Sequence, residues 1–173
     1  MIPRTLTHRL IDLARSFPVL FLTGPRQAGK TTLARMAFPH FKYISLEEAH
    51  SRTEAVSDPR GFLKALEGLP GAILDEAQRA PDLFSYIQGF ADDRRGGPLV
   101  LTGSQHFLMS ERISQSLAGR AAILELLPLS VSELAQRAPR TPDTWADLRR
   151  DAAVPSIALD ELLFTGLFPR IHA

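Results

Sequence analysis

The sequence predicts an α/β fold, in which helices alternate with the strands of a mostly parallel sheet. Five apolar or alternating runs of strand length are separated by segments with helical periodicity. The chain has 173 residues, 45% hydrophobic and 23% charged, which is typical of one globular domain of ordinary composition. We expect residues 1–130 to form this domain and residues 131–173 to form a helical tail.

The first elements are predicted from apolar spacing and from the glycine or proline that ends each run. Helical spacing predicts a leading helix over residues 6–15. Residues 19–24 are a continuous apolar run ended by glycine, which predicts a strand buried on both faces. A helix is expected over residues 30–37, because Pro39 stops it. Residues 41–46 alternate and are rich in aromatic and branched side chains, which predicts a second strand.

The later elements follow the same logic. Two short helices are expected after the second strand, divided near Asp58 and Pro59. A third strand is expected over residues 71–78, apolar until it reaches two adjacent acids. The remaining elements are a helix over residues 81–93, a strand over 98–104, a helix over 112–120 and a strand over 121–129.

Composition excludes several classes of protein. The net charge of +1 is far from the basic footprint of a dedicated nucleic-acid binder. The absence of cysteine excludes disulfides and cysteine-ligated metals and fits a reducing compartment. We find no signal peptide and no run of about 18 apolar residues. The sequence therefore predicts a cytoplasmic protein with no membrane partner.

Residues 24–31, GPRQAGKT, match the phosphate-binding pattern G-x-x-x-x-G-K-[ST] between a predicted strand and a predicted helix. Glycines allow the backbone N–H groups to fold around phosphate oxygens, and the helix N-terminus adds its dipole. Lys30 is expected to reach the β- and γ-phosphates, and the Thr31 hydroxyl to ligate Mg²⁺. The predicted nucleotide-binding residues are Gly24, Pro25, Arg26, Gln27, Ala28, Gly29, Lys30, Thr31 and Thr32.

Two acids end the third predicted strand, in the segment AILDEAQRAP. Asp75 would lie at the carboxyl end of that strand, where it can hold Mg²⁺. Glu76 is then available as the base, or as the group that orients the attacking water. Hydrolysis needs this second acid, so the pair favours hydrolysis.

Two further positions are candidates for catalysis. In an open parallel sheet ligands bind outside the carboxyl ends of the strands, so Ser104 or Thr102 should face the γ-phosphate. Arg120 could stabilise transition-state charge in a neighbouring subunit, with Arg112 as the alternative. An arginine supplied by a neighbouring subunit in this way, called an arginine finger, predicts a homo-oligomer, at least during catalysis.

Five segments in this order, FPVLFLTGPRQAGKTTLA, ILDEAQRAPDLF, LVLTGSQHFLM, SLAGR and LFTGLFPRI, resemble a known family. It is the prokaryotic AAA-superfamily ATPases in which such a domain precedes a C-terminal domain of unknown, nuclease-like character. The resemblance implies a P-loop NTPase fold, a three-layer sandwich with sheet order 5-1-4-3-2. It also implies that Lys30 and Thr31 are the Walker A lysine and threonine.

The same resemblance extends to other positions of the site. Asp75 and Glu76 match the Walker B acids, and Ser104 matches the sensor-1 position. Arg120 stands where AAA-type proteins usually carry their arginine finger. Family members usually continue past a GGFP-like segment, whereas this chain has Leu167 at a usual glycine and ends soon after. We therefore expect residues 131–173 to begin a truncated further unit, without the lid or sensor-2 residues of the missing part.

These expectations favour one function and leave a second open. The first is Mg²⁺-dependent ATP hydrolysis coupled to a conformational change in an attached domain or in an unidentified protein or nucleic-acid partner. The second is an ATP-binding switch or recruitment module with little turnover. A GTPase is disfavoured, because a chain without asparagine lacks the Asn-Lys-x-Asp loop. A small-molecule kinase is disfavoured by Glu76 beside Asp75 and by the lack of a substrate lid.

Overall fold

The computed structural model describes residues 2–93, 96–103, 117–137 and 158–172. Five strands form one sheet in the order β2-β3-β4-β1-β5, and neighbouring strands pair in parallel. This is the predicted order, 5-1-4-3-2, read from the other side, so the prediction is confirmed. The strands are β1 (Val19–Thr23), β2 (Lys42–Ser45), β3 (Ala72–Asp75), β4 (Leu99–Thr102) and β5 (Ala121–Glu125).

Helices pack on both faces of this sheet. The described α-helices are α1 (Leu6–Ala14), α2 (Lys30–Ala37), α3 (Ala49–Ser57), α4 (Pro59–Lys64), α5 (Leu83–Asp93), α6 (Val131–Leu134) and α7 (Leu159–Thr165). Short 3₁₀ turns cover Ala77–Arg79 and Pro169–Ile171. None of the helices in the described ranges has the length and apolar character needed to cross a bilayer.

The period of two along each strand separates the core into two clusters. Phe21 and Leu101 point to one face of the sheet, where they pack with side chains of α3, α4 and α5. Leu20 and Val100 point to the other face, where they pack with α1 and α2. All five residues of β1 are buried, as expected for a strand that lies between two others. The predicted three-layer arrangement is therefore confirmed.

The two largest differences from the predicted strand ends are at β3 and β5. β3 ends at Asp75, because Glu76 adopts left-handed backbone angles, φ 56° and ψ 44°, and starts the first 3₁₀ turn. β5 ends at Glu125, not at Leu129. The helix expected over residues 112–120 lies mostly outside the described residues. Its last four residues form a hydrogen-bonded turn, in which Arg120 N donates to Leu117 O.

Part of the predicted tail is helical, and the C-terminal segment contacts the chain just beyond β5. Ser130 and Glu133 form a reciprocal capping box at the start of α6. Leu129 N donates to Leu167 O at 2.7 Å, which ties the C-terminal segment to the chain just beyond β5. Residues 138–157 lie outside the described residues. The division of the chain near residue 130 stays a prediction.

Candidate functional site

The candidate site lies at the carboxyl ends of the parallel strands, which we call the carboxyl edge of the sheet; the opposite side is the amino edge. A cavity of about 570 Å³ opens there beside the loop between β1 and α2. The loop, the helix that follows it and the end of β3 contribute Arg26, Gln27, Gly29, Lys30, Thr31, Thr32, Leu33, Met36 and Glu76 to its lining. Segments distant in the chain contribute Ile2, Arg4, Leu129, Pro169, Arg170 and His172. The predicted phosphate loop therefore faces a space large enough for a small ligand.

Glycine is required at both ends of this loop. Gly24 has φ 140°, and a Cβ there would lie 2.2 Å from the carbonyl oxygen of Leu126. Gly29 has φ 93° and precedes the first residue of α2, Lys30. Both angles are in the region that L side chains rarely adopt. The loop can therefore bring its backbone against the neighbouring strand and turn directly into the helix.

The Lys30 side chain lies folded across the loop. Its Nζ donates to the carbonyl oxygens of Gly24 at 3.0 Å and Pro25 at 2.8 Å. Burial lowers the pKa of Lys30, and the negative charges of Glu76 and Asp75 oppose that shift. The ammonium is thus a buried donor held inside the loop, where the sequence expects phosphate oxygens.

Asp75 is buried at the end of β3 and accepts three side-chain hydrogen bonds. Its Oδ1 accepts from Thr31 Oγ1 at 2.8 Å and from Thr102 Oγ1. Its Oδ2 accepts from the Tyr43 hydroxyl at 3.0 Å. The predicted Walker A threonine and Walker B aspartate are thus joined directly. A hydroxyl beside a carboxylate is an oxygen donor set of the kind Mg²⁺ takes, so these residues fit that ion.

Glu76, the residue that follows β3, has left-handed backbone angles and lines the same cavity. Its backbone N–H donates to Thr102 Oγ1 at 3.2 Å, while the Thr102 hydroxyl donates to Asp75. One buried hydroxyl at the end of β4 therefore fixes both acids relative to each other. From the sequence we expected Thr102 or Ser104, on this neighbouring strand, to face the γ-phosphate. Ser104 lies outside the described residues.

Arg120 lies at the amino edge, just before β5. Its Nε donates to Asp92 Oδ1, and both side chains are well exposed. The hydrogen bond with Arg120 lowers the pKa of Asp92, and the same bond raises that of Arg120. Five strand residues, roughly 15 Å, separate this arginine from the carboxyl edge, so it does not serve the phosphate loop of its own chain. Arg112 lies outside the described residues.

Sequence reasoning missed two residues that contact this site. Tyr43, on β2, holds Asp75; burial raises the pKa of its hydroxyl, and the charge of Asp75 adds to the shift. The guanidinium of Arg35 lies 4.8 Å from the Tyr43 ring centroid. Arg4 donates from Nη1 to the carbonyl oxygen of Ala28, a loop residue, at 2.8 Å. The predicted strand order places β2 beside β3, so it could have indicated that Tyr43 lies near Asp75. No local pattern in the sequence distinguishes Arg4 from other arginines.

Sequence comparison places the chain among related proteins. A family model described as an AAA domain matches residues 16–135. Uncharacterized proteins of Mycobacterium bovis and Mycobacterium tuberculosis are each 40% identical over 140 residues, which cover 78% of this chain and 31% of theirs. An uncharacterized protein of Methanocaldococcus jannaschii is 30% identical over 118 residues, 64% of this chain and 26% of its own. The chain thus spans about a third of the length of the curated relatives it matches.

Solved structures share the fold. A DNA replication initiation factor superposes with a TM-score of 0.62 at 16% identity, covering 96% of this chain and 56% of that one. A Walker-type ATPase of Pyrococcus abyssi gives 0.55 at 16% identity, covering 90% and 65%. A RuvB Holliday junction branch migration motor of Thermotoga maritima gives 0.51 at 22% identity, covering 78% and 49%. At these identities the likeness confirms the predicted P-loop NTPase fold and no more.

Proposed function

The chain belongs to the AAA domain family, and on that premise we propose that it binds ATP with Mg²⁺ and hydrolyses it. Hydrolysis would drive a conformational change in an attached domain or a partner, a protein or a nucleic acid, in the cytoplasm. The observation that carries this proposal is the direct hydrogen bond between Thr31 and Asp75 at a cavity that Lys30 and Glu76 also line. Phosphate binding, metal binding and an available base thus occur together.

Each group then has a distinct role. Thr31 and Asp75 would hold Mg²⁺, which when bound neutralises charge on the β- and γ-phosphates. Lys30 would exchange the carbonyl oxygens of Gly24 and Pro25 for phosphate oxygens, because an ammonium bonds more strongly to a charged acceptor.

Glu76 would take a proton from the attacking water, or orient that water, as the γ-phosphoryl group moves to the water oxygen. Ser104, which lies outside the described residues, would sense the γ-phosphate. The apolar side chains of Ile2, Met36 and Pro169 that line the cavity suit an uncharged base.

A residue from a second copy of the chain would complete the site. Arg120 is partly exposed, lies at the amino edge, and pairs with Asp92. A guanidinium that does not serve its own phosphate loop can reach the loop of a neighbour. We therefore propose a homo-oligomer in which Arg120 acts in trans.

An ATP switch with little turnover is the second candidate. The observation that favours it is that Lys30 already donates two hydrogen bonds and Asp75 accepts three within the chain. A ligand must replace some of these bonds, which suits slow binding and slow exchange. The two functions share the binding site and differ in whether Glu76 is used.

The test is titration of MgATP and MgGTP into the wild type and Lys30→Ala, with phosphate release followed in parallel. Loss of charge-assisted hydrogen bonds, about 1.5 to 3 kcal/mol, corresponds to a roughly 10- to 150-fold loss of ATP affinity. Lys64→Ala, which removes an exposed lysine on α4, is the matched control and should bind as the wild type does. Equal binding by wild type and Lys30→Ala would contradict the assignment of the site.

Glu76→Gln separates the two candidate functions. An ATPase should keep its ATP affinity and lose phosphate release, because the amide cannot take a proton. A binding switch should show the same slow release with and without the substitution. Tighter binding of GTP than of ATP would reject the preference for adenine.

A further inference from the structure

Gln78 occupies a defined place behind the site. It is the middle residue of the 3₁₀ turn Ala77–Arg79, and its Nε2 donates to Glu76 Oε2. Glu76 lines the cavity, whereas Gln78 is not among the lining side chains. The turn is anchored by the buried Ala77 and by a hydrogen bond from Arg79 N to Glu76 O at 3.0 Å. Gln78 thus contacts the carboxylate from the side away from the cavity.

The end of β4 leaves room for this side chain. A Cβ at Gly103 would lie 2.8 Å from Gln78 Oε1, closer than real Cβ atoms approach other atoms. The next nearest atoms, on the Phe21 ring, lie 3.6 Å away, so a methyl group at Gly103 would fit only if the flexible end of Gln78 moved. The amide of Gln78 is therefore held between Glu76 on one side and Gly103 on the other.

The orientation of the amide follows from chemistry. An ionised carboxylate only accepts hydrogen bonds, so the NH₂ group of Gln78 has to face Glu76 and its Oε1 has to face Gly103. That Oε1 is buried and has no hydrogen-bond partner among the described residues. The amide is thus oriented by the carboxylate that it contacts.

We propose that Gln78 is a positioning residue for the hydrolysis assigned to this site. Its Nε2 holds one carboxylate oxygen of Glu76, which leaves the other oxygen directed to the cavity to accept a hydrogen bond from the attacking water. Gly103 provides the space in which the amide is held. This inference rests on the proposed function, because a positioned base matters only where water attacks.

The kinetic test uses Gln78→Met, which keeps length and removes the donor. Phosphate release at saturating MgATP should fall about 10- to 30-fold, with ATP affinity unchanged within 2-fold, since the residue does not line the cavity. Gly103→Ala should produce a loss in the same direction by displacing the amide. In a Glu76→Gln background, Gln78→Met should cause no further loss, because the two residues act as one unit.

The outcomes separate this inference from the proposed function. If the wild type hydrolyses ATP, Glu76→Gln does not, and Gln78→Met equals the wild type, the positioning role is overturned while the ATPase stands. A loss in Gln78→Met that is additive with Glu76→Gln, or that comes with weaker ATP binding, also overturns it. A fall in turnover with unchanged affinity supports it.

A second readout works without turnover. The side-chain amide of Gln78 should give a ¹H–¹⁵N resonance that moves in Glu76→Gln, which removes the charge it faces, and in Gly103→Ala, which removes its space. The same resonance should stay in place in Lys64→Ala. If neither site variant moves it, the contact does not exist in solution and the proposal is wrong, whatever the ATPase assay shows.

Discussion

Two arginine–carboxylate pairs lie at opposite edges of the same sheet and differ in almost every respect. At the carboxyl edge, Arg4 lies 3.3 Å from Glu133, and both side chains are about nine-tenths buried. At the amino edge, Arg120 contacts Asp92, with side-chain exposures of 32% and 46%. The first pair is enclosed by the protein, and the second is open to a partner.

The difference lies in what else each arginine binds. Arg4 also donates to the carbonyl oxygens of Ala28, Leu127 and Pro128, so it joins the phosphate loop to the chain beyond β5. Among the described residues, Arg120 adds a 3.3 Å bond to the nearby Ala118 carbonyl oxygen. An arginine whose donors are used by distant backbone has a structural role. One that keeps donors at the surface can bind an added group, and this contrast supports our proposal that Arg120, and not Arg4, acts in catalysis.

The largest expected effect is on turnover and concerns the open pair. Arg120→Ala should lower phosphate release on the order of 10³-fold at protein concentrations that allow assembly, with ATP affinity unchanged. Asp92→Ala is the matched control, because it removes the carboxylate and leaves the guanidinium free to act. Full activity in Arg120→Ala would show that the pair of Arg120 with Asp92 has no part in catalysis.

An experiment that mixes two inactive variants tests whether Arg120 acts on a neighbouring copy of the chain. Arg120→Ala keeps an intact phosphate loop, and Lys30→Ala keeps an intact Arg120. If the arginine acts in trans, the two inactive variants should restore part of the activity when combined. A mixture as inactive as its parts would reject the proposed assembly.

The next effect is on stability and concerns the enclosed pair. Arg4→Met removes the guanidinium and leaves Glu133 buried without its counter-ion, which should lower the free energy of unfolding by about 2 to 3 kcal/mol. Urea denaturation measures it, and Glu133→Gln in the same chain should recover part of the loss. The same change at the open pair, Arg120→Met, should leave the denaturation midpoint close to that of the wild type.

The smallest effect is the pH dependence of stability. Burial would raise the pKa of Glu133, but hydrogen bonds from the backbone of Ser130 and Thr5 and the charge of Arg4 outweigh it and hold that pKa below its ordinary value of 4.5. A lowered pKa in the folded state gives stability that is present above the ordinary value and is lost as the pH falls through the folded one.

Unfolding measured from about pH 6 down to about pH 3 tests this dependence, because the loss starts near the ordinary pKa and continues below it. The wild type should lose stability more steeply below the ordinary pKa than Glu133→Gln does. Asp92→Asn is the control at the open pair, where solvent screens the charges, and its curve should follow the wild type. Identical curves for wild type and Glu133→Gln would show that the enclosed pair carries no such contribution.

The comparison also shows how far the sequence predicts this molecule. Local patterns were sufficient for β1, for the start of α2 at Lys30 and for the acids at the end of β3, because each depends on neighbours in the chain. The predicted β3 was too long at its C-terminal end. Its end depends on the left-handed backbone of Glu76, which no apolar pattern encodes.

Contacts between distant segments were not predicted, because local patterns do not contain them. The hydrogen bond from Tyr43 to Asp75 spans 32 positions, and that from Arg4 to Leu127 spans 123. An arginine in the sequence looks the same whether it is enclosed or open. Only the fold separates Arg4 from Arg120, and therefore architecture from a site for a partner.

The most direct test of the account is hydrolysis of ATP already bound. Wild type and Glu76→Gln would be loaded with limiting γ-labelled ATP in excess protein, Mg²⁺ added, and free phosphate followed over a single turnover. The account predicts that the wild type releases phosphate while Glu76→Gln retains intact ATP. Equal release by both, or intact ATP in both at every protein concentration, would contradict the assignment of Glu76 as the base of an ATPase.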